Sequence, residues 1–368
     1  MIDRALDALA TLPETPRPAV VGFDGFVDEM IRVVGERKSL EEYDAVPDIT
    51  TFGGLITGAA GHSSLREIVV EAVHPGGCAV NLGDGLAAAG VPIDCYATLG
   101  EPVHPAFRET VSRFRRTVSW GEEPGRTLAF EFADGKLMFS SVRQLARFTP
   151  ETVAPRLADG GYLESCREAG VIALTDWTLY PHMTAVWGLL QSEVYARLEH
   201  RPHFLVDLVD PSSRSADDIR GMLRALPAIE TCGPVTLGLN GNEANILARL
   251  LGLAPAENDA AECVRLAGAL RGAIGVSSVV IHRLHFAVSH GPGGAFSAAG
   301  PYCERPLKST GAGDRFNAGY CLGLLAGADP EACLDLGSAT SGFFVRNARS
   351  GTRSELLEFL RRWRAGDY

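Results

Sequence analysis

No stretch of this chain reaches the roughly 18 apolar residues of a membrane-spanning helix. The opening Met1-Ile2-Asp3-Arg4-Ala5-Leu6 mixes charges and does not read as a secretory leader. Basic runs are missing too: 34 Lys and Arg stand against 45 Asp and Glu, for a net charge of −11. That balance argues against a nucleic-acid partner. No Cys-x-x-Cys occurs. The eight cysteines (Cys78, Cys95, Cys166, Cys232, Cys263, Cys303, Cys321, Cys333) are scattered, several inside apolar runs. They read as reduced core residues, with neither a disulfide framework nor a zinc site. Internal repeats and low-complexity segments are also lacking. The expectation is a cytoplasmic protein acting on small molecules, with no membrane and no nucleic acid.

What is there suits a globular α/β chain. Of 368 residues, 46% are hydrophobic and 21% charged, enough apolar content for a sizeable core. Val20–Phe23 and Ile93–Leu99 read as strands, with a helix over Leu82–Ala89 between them. From about residue 150, strands and helices alternate: Val171–Thr175, Phe204–Val209, Val235–Leu239 and Val279–Ile281, with helices at 184–198, 216–226, 243–251 and 259–274. Helices at 313–326, 331–346 and 354–363 close the chain. Such alternation predicts a mainly parallel sheet covered on both sides. Two β-rich pieces, 29–75 and 117–142, break the alternation. The second reads as a hairpin turning at Asp134-Gly135. Both are expected in a small β-sheet lid beside the core.

The most informative run is Ser309-Thr310-Gly311-Ala312-Gly313-Asp314, followed by the apolar positions Tyr320, Leu322, Leu324 and Leu325. A Gly-Ala-Gly turn opening a buried helix leaves backbone N–H groups free, and the helix dipole makes them an anion site. An acid just inside that site faces a phosphate at an electrostatic cost unless it has work to do, such as taking a proton from a hydroxyl. Alone, the run also reads as a tight turn with an acid in the first helical turn.

The run resembles the C-terminal signature of the ribokinase/PfkB family of carbohydrate kinases. The resemblance implies a ribokinase-like three-layer α/β/α domain spanning 1–368 with a β-sheet lid. It implies Asp314 as catalytic base and the amides of Gly311, Ala312 and Gly313 as the anion hole. Gly76-Gly77, with Asn81 four residues after the second glycine, resembles the family's N-terminal signature and is expected to hold the acceptor. Near the end of the first strand, Asp28 or Asp24 would hydrogen-bond its hydroxyls, Asp28 having the better following context. Asn240-Gly241-Asn242-Glu243 resembles the family's Asn-x-x-Glu motif. On that resemblance Asn240 and Glu243 belong to the nucleotide site, with Glu243 ordering Mg²⁺ through water; an N-capped helix start explains the same residues. Asp210, in Asp-Pro-Ser-Ser-Arg, is a weaker metal candidate. Asn347 is assigned to the nucleotide site.

Two departures stand out. Lys308 occupies the position, three before Gly311, where the family usually has Asp. A cation there would sit close to the phosphates or face solvent. His282-Arg283-Leu284-His285-Phe286-Ala287 replaces the family's Thr-x-Gly-x-x-Gly nucleotide loop, so Arg283 or His285 would contact phosphate or base instead. His282 and His285 face opposite ways on a strand, which argues against a metal pair. Thr175-Asp176-Trp177 ends a strand and is a cleft-lining candidate. Arg126, or Arg113 with Arg115 and Arg116, would meet a phosphorylated acceptor; exposed arginines are equally a solvated face.

The expected activity is transfer of the ATP γ-phosphoryl group to a hydroxyl of a sugar or related small molecule, with Mg²⁺ and with a homodimer formed through the lids. The alternatives are a small-molecule-binding member without catalysis and a kinase using ADP or pyrophosphate.

Overall fold

The computed structural model describes residues 2–368. Its strands in chain order are β1 (Ala19–Gly22), β2 (Phe26–Arg37), β3 (Tyr43–Ala45), β4 (Ile68–Gly76), β5 (Ile93–Ala97), β6 (Arg116–Ser119), β7 (Gly125–Phe132), β8 (Gly135–Ser141), β9 (Val171–Leu174), β10 (His203–Asp207), β11 (Val235–Asn240), β12 (Ser278–His282), β13 (Phe286–Gly291) and β14 (Gly294–Ala299).

Nine strands form one sheet in the order β14-β13-β12-β11-β10-β9-β1-β5-β6. Pairing is parallel from β6 through β12; β13 and β14 add an antiparallel edge. β1 (Ala-Val-Val-Gly) and β9 (Val-Ile-Ala-Leu) bury every residue, as expected where helices cover both faces. The chain moves outward from β1 to β5 and β6, then returns to the other side of β1 at β9. That reversal puts a crevice at the carboxyl ends of β1 and β9, where open α/β sheets hold ligands.

The second sheet runs β3-β2-β7-β8, with β4 also paired to β2. One face is covered by the helix Ile49–Gly58. Phe52 packs on Phe130 and Phe132, with ring centroids 5.9 and 5.3 Å apart, over a small core of Val33, Val46 and Phe132. The other face carries Asp28, Met30, Ala129, Met138, Ala72 and His74, which share a side through the cross-strand pairs Asp28–His74, Met30–Ala72, Met30–Ala129 and Ala129–Met138.

Several elements differ from the sequence expectation. Residues 49–58 form a helix despite Gly53 and Gly54, because Asp48 caps it and Phe52 gains aromatic partners. Arg116–Ser119 pairs in parallel with β5 in the large sheet, so the hairpin side of the small sheet starts at Gly125 instead of 117. The helix placed at 82–89 begins at Cys78, because Asp24 caps its first turn. The 184–198 helix ends at Glu193 and continues as a 3₁₀ turn, Tyr195–Arg197. An N-terminal helix, Ile2–Thr11, packs on the C-terminal helix Arg353–Ala365; Arg353 donates to the carbonyls of Leu9 and Ala10 at 2.9 and 3.0 Å. All eight cysteines are free, and six are buried. Among the described residues no helix is long and apolar enough to cross a membrane.

Candidate active site

The Ser309–Asp314 turn meets the carboxyl ends of the parallel strands. Gly311 has φ +88° and precedes the helix Ala312–Leu325 with no side-chain cap. A Cβ there would lie 3.0 Å from the Arg315 guanidinium, so glycine answers both the left-handed backbone and the close approach. The Ala312 N–H donates to the Ser309 carbonyl at 3.0 Å. Ala312 is therefore spent within the turn. Among the described residues nothing accepts from the Gly311, Gly313 and Asp314 N–H groups. The free donors thus differ by one from the expected Gly311–Gly313 set: Asp314 replaces Ala312.

Asp314 is buried at 8% exposure. Asn81, from the first turn of the helix Cys78–Ala88, donates through Nδ2 to its Oδ2 at 2.8 Å. Two residues 233 positions apart thus meet. Burial pushes the Asp314 carboxyl up, while the Arg315 guanidinium and the Asn81 and Cys78 side chains draw it back down. A carboxylate that is desolvated yet held by one amide remains able to take a proton.

Arg315 fixes the turn from behind. It pairs with Asp84 at 2.7 Å, donates to Ser350 at 3.2 Å and lies 4.5 Å over the Phe344 ring. Ser350 donates to the same Asp84 oxygen at 2.6 Å, and Arg113 pairs with the other oxygen at 2.6 Å. This ties Arg113 into the scaffold.

Carboxylates gather below the turn at the strand ends. Burial pushes Asp207, at the end of β10, up to about 7, with Asp314 adding to the shift. Asp207 accepts from Asn317 at 2.5 Å. Burial pushes Glu243 up to about 8, with Asp207 the next cause. Asp176, after β9, is pushed well above the carboxylate range by burial and then by Asp24. Among the described residues no three His, Cys, Asp or Glu side chains converge closely enough to hold a metal by themselves. The set does fit a hard cation held through water and phosphate oxygens, which needs only one or two carboxylates.

The remaining expected residues fall in distinct places. Asp24 is buried at 1% exposure. It accepts from the Cys78 and Ala79 N–H groups and from the Thr175 hydroxyl. It caps the helix that carries Asn81, so most of its accepting capacity is spent on the scaffold. Asp28 lines a cavity of about 470 Å³ under the lid. Gly76 and Gly77 let these acids approach the backbone closely: a Cβ at Gly76 would stand 2.3 Å from the Asp28 carboxylate, and one at Gly77 2.8 Å from the Asp24 carbonyl. Gly77 also has φ +97°. Asn240 accepts from the Asn242 and Glu243 N–H groups, while Glu243 accepts from the Asn240 N–H at 2.7 Å, a complete capping box.

A second cavity of about 420 Å³ lies on the other side of the turn, lined by Asn240, Arg283, Tyr302, Gly313, Phe316 and Ser341 among others. Arg283 lies over Gly241, where a Cβ would be 2.2 Å from its Cζ. Its Nη2 donates to the Ala256 and Glu257 carbonyls at 3.3 Å, and its buried Nε has no partner. His282 packs on Phe316, and His285 stacks on Tyr302 at 4.2 Å. His285 lies in the turn between β12 and β13, not on a strand as expected, and the two histidines pack on different aromatic partners.

Three expectations are corrected. Lys308 lines the lid cavity with Asp28, not the cavity of Asn240 and Arg283. Asn347 is exposed and donates to the Phe343 carbonyl at 2.8 Å, outside both cavities. Asp210 is exposed and caps a 3₁₀ turn through the Ser212 N–H; the acid that joins Glu243 and Asp314 is Asp207, three residues earlier. Sequence reading passed over Asp207, although an acid ending a buried apolar run also marks Asp24 and Asp176. The Asp84–Arg315–Ser350 network leaves no local signal.

A parallel sheet reversing at β1 and β9, a glycine turn on a buried helix and a β-sheet lid define a ribokinase-type sugar kinase. The comparisons with known proteins agree. The chain matches a ribokinase from Thermotoga maritima with TM-score 0.64 at 15% identity, covering 94% of this chain and 99% of that one. It matches the Arabidopsis thaliana ribokinase complexed with ribose and ATP with TM-score 0.64 at 16% identity, covering 94% and 99%. In sequence it is 28% identical over 341 residues to a ketohexokinase from Haloferax volcanii, covering 92% of this chain and 89% of that protein. The model of the prokaryotic ketohexokinase family matches residues 2–363. The chain belongs to the prokaryotic ketohexokinase family and is an ATP-dependent sugar kinase.

Proposed function

We propose that the chain transfers the γ-phosphoryl group of ATP to a hydroxyl of a ketohexose, with Asp314 as general base. The observation that carries this reading is the buried Asp314 held by Asn81 at 2.8 Å on a turn with free amides. The acceptor lies in the lid cavity beside Asp28. ATP lies in the cavity of Asn240 and Arg283, and the two spaces share the wall residues Pro306 and Ser309. Asp314 takes the proton of the attacking hydroxyl as the P–O bond forms. The Gly311, Gly313 and Asp314 N–H groups stabilise charge on the transferring oxygens. Bound Mg²⁺ supplies charge neutralisation at the phosphates. Glu243 and Asp207 would hold it through water, and its presence lets these crowded carboxylates stay ionised. Closure of the lid excludes water and suppresses hydrolysis of ATP.

The lid also carries the proposed dimer contact. Its outer side exposes Ile68, Val70, Val73 and Phe139 by 44–53%, an apolar surface of the kind that pairs with another copy. Use of ATP and a free sugar fits action in the cytoplasm. The direct test is ADP release in a coupled assay with Mg-ATP and a panel of ketohexoses, aldohexoses and hexose phosphates. Ketohexose-dependent ADP formation that disappears in Asp314→Asn is the expected result. Equal turnover in that variant overturns the base assignment.

A further inference from the structure

Only three of the 34 basic residues are lysines: Lys38, Lys136 and Lys308. Two of them line the lid cavity. Lys38 pairs with Asp44 at 2.7 Å and Lys136 with Glu131 at 2.9 Å. Lys308 alone has no carboxylate within ion-pair distance among the described residues. Its ammonium is half-buried, 5.8 Å from the Phe344 ring. Its stem leaves the chain directly before the Ser309–Asp314 turn, so it belongs to the core and not to the lid.

Asp28 faces Lys308 from β2. Burial raises the half-buried Asp28 carboxyl, and the Thr127 hydroxyl and then Lys308 draw it back down; burial and then Arg315 lower the Lys308 ammonium, and Asp28 holds it up. They do not close into an ion pair. Opposite charges that stop short of contact across a cavity leave space for a ligand between them, and about 470 Å³ suits a small ligand. The other charges around the cavity are engaged. Glu71 accepts from Arg32 at 3.3 Å and Tyr43 at 3.0 Å, and Glu131 holds Lys136. His74 is the remaining titratable group, and burial and then Lys308 keep it towards its neutral form. The free pair is thus one hydrogen-bond acceptor on the lid and one donor on the core. A neutral polyhydroxylated ring satisfies both. An anionic ring would gain at Lys308 and lose at Asp28.

We infer that Lys308 is an acceptor-specificity residue, donating to one edge of the sugar while Asp28 accepts from a hydroxyl on the other. The acceptor then bridges lid and core, and its binding holds the lid over the turn that carries Asp314. This deepens the proposed site and rests on its assignment as the sugar cavity. It also separates Lys308 from the phosphates, where the sequence pattern would put it.

The test is steady-state kinetics of Lys308→Met and Lys308→Arg with D-fructose and Mg-ATP. It is paired with calorimetric titration of D-fructose into each protein without ATP. Losing a charged donor should raise the KM for D-fructose in Lys308→Met about 10- to 100-fold and leave the KM for ATP within about twofold. Lys308→Arg should recover part of the loss, which a merely misfolded site would not do. A raised KM for ATP with an unchanged KM for D-fructose overturns the inference and returns Lys308 to the donor side. Two unchanged constants overturn it as well, as does a wild-type preference for hexose phosphates that Lys308→Met abolishes. Wild-type protein that binds D-fructose without phosphorylating it, while Lys308→Met does not bind it, supports the inference and instead removes the catalytic reading. Wild-type protein that binds no ketohexose overturns both.

Discussion

In the large sheet, β1 and β9 bury all four of their residues; in the small sheet, β8 leaves six of seven exposed. The two regions meet at the Ser309–Asp314 turn, yet they handle polar side chains differently. The core takes in Asp24, Asp207, Glu243 and Asp314 at strand ends and helix starts, and burial raises the pKa of each. The lid keeps most of its charges at the surface in pairs such as Arg37–Glu67 and Arg126–Glu29. A low-dielectric environment gives charges large effects on chemistry; a wet one leaves them available for recognition at little cost. On the proposed reading, the desolvated core acids carry the catalysis, and the acceptor is chosen where lid and core face each other across one cavity.

The comparison breaks first, and most visibly, at Asp314. Asp314→Asn should lower kcat by about 10³-fold while the acceptor KM changes little; coupled ADP release measures both. If the acceptor KM collapses with kcat, the division between core and lid is wrong.

Ion pairs offer the next contrast. Arg315→Met should cost about 3 kcal/mol in urea unfolding, because it strips one partner from the buried Asp84. Arg37→Ala, which removes the lid pair with Glu67, should stay within about 0.5 kcal/mol. Equal losses would erase the contrast in burial.

The raised carboxylates sharpen the picture through pH. Glu243 is pushed to about 8, Asp207 to about 7 and Asp24 to about 6. Each is above its unfolded value, so the native state binds more protons than the unfolded one across this range. Stability without metal is then highest towards pH 4–5 and falls as pH rises through 6 to 8. Thermal melts should show a drop of a few degrees across that window. Asp207→Asn should flatten it, and Mg²⁺ should recover more at pH 8 than at pH 5.5. A drop of the same size in Asp207→Asn would exclude the cluster as its source.

The smallest effect belongs to the lid's outer side. Phe139→Lys, at a residue 53% exposed, should change the monomer's stability by less than about 0.5 kcal/mol. It should shift sedimentation from dimer to monomer. A species of unchanged size in both proteins would place any self-association elsewhere.

Much of this arrangement was legible in the residues. The glycine turn before an apolar helix marked Asp314, because a left-handed backbone at Gly311 and a buried helix leave few alternatives. The apolar runs at β1, β9, β10 and β11 marked the sheet, since strands buried on both faces need continuous Val, Ile and Leu. Other features were hidden. Residues 49–58 fell inside a β-rich piece, and the Asp48 cap with the packing of Phe52 on the lid made a helix of them. Asp24 and Asp28 stand four residues apart in similar settings, and the helix start at Cys78 chose which of them it would consume. Lys308 next to the phosphate turn suggested a phosphate contact, but its side chain turns to the lid.

The sheet, the turn and the acid inside it follow from neighbouring residues alone, because periodicity and local backbone conformation are written there. The tertiary structure decided which acid caps and which lines the lid cavity, which cavity Lys308 enters and how Asp84 braces Arg315. Those outcomes depend on contacts between residues tens to hundreds of positions apart, and the burial created where they meet sets each group's charge.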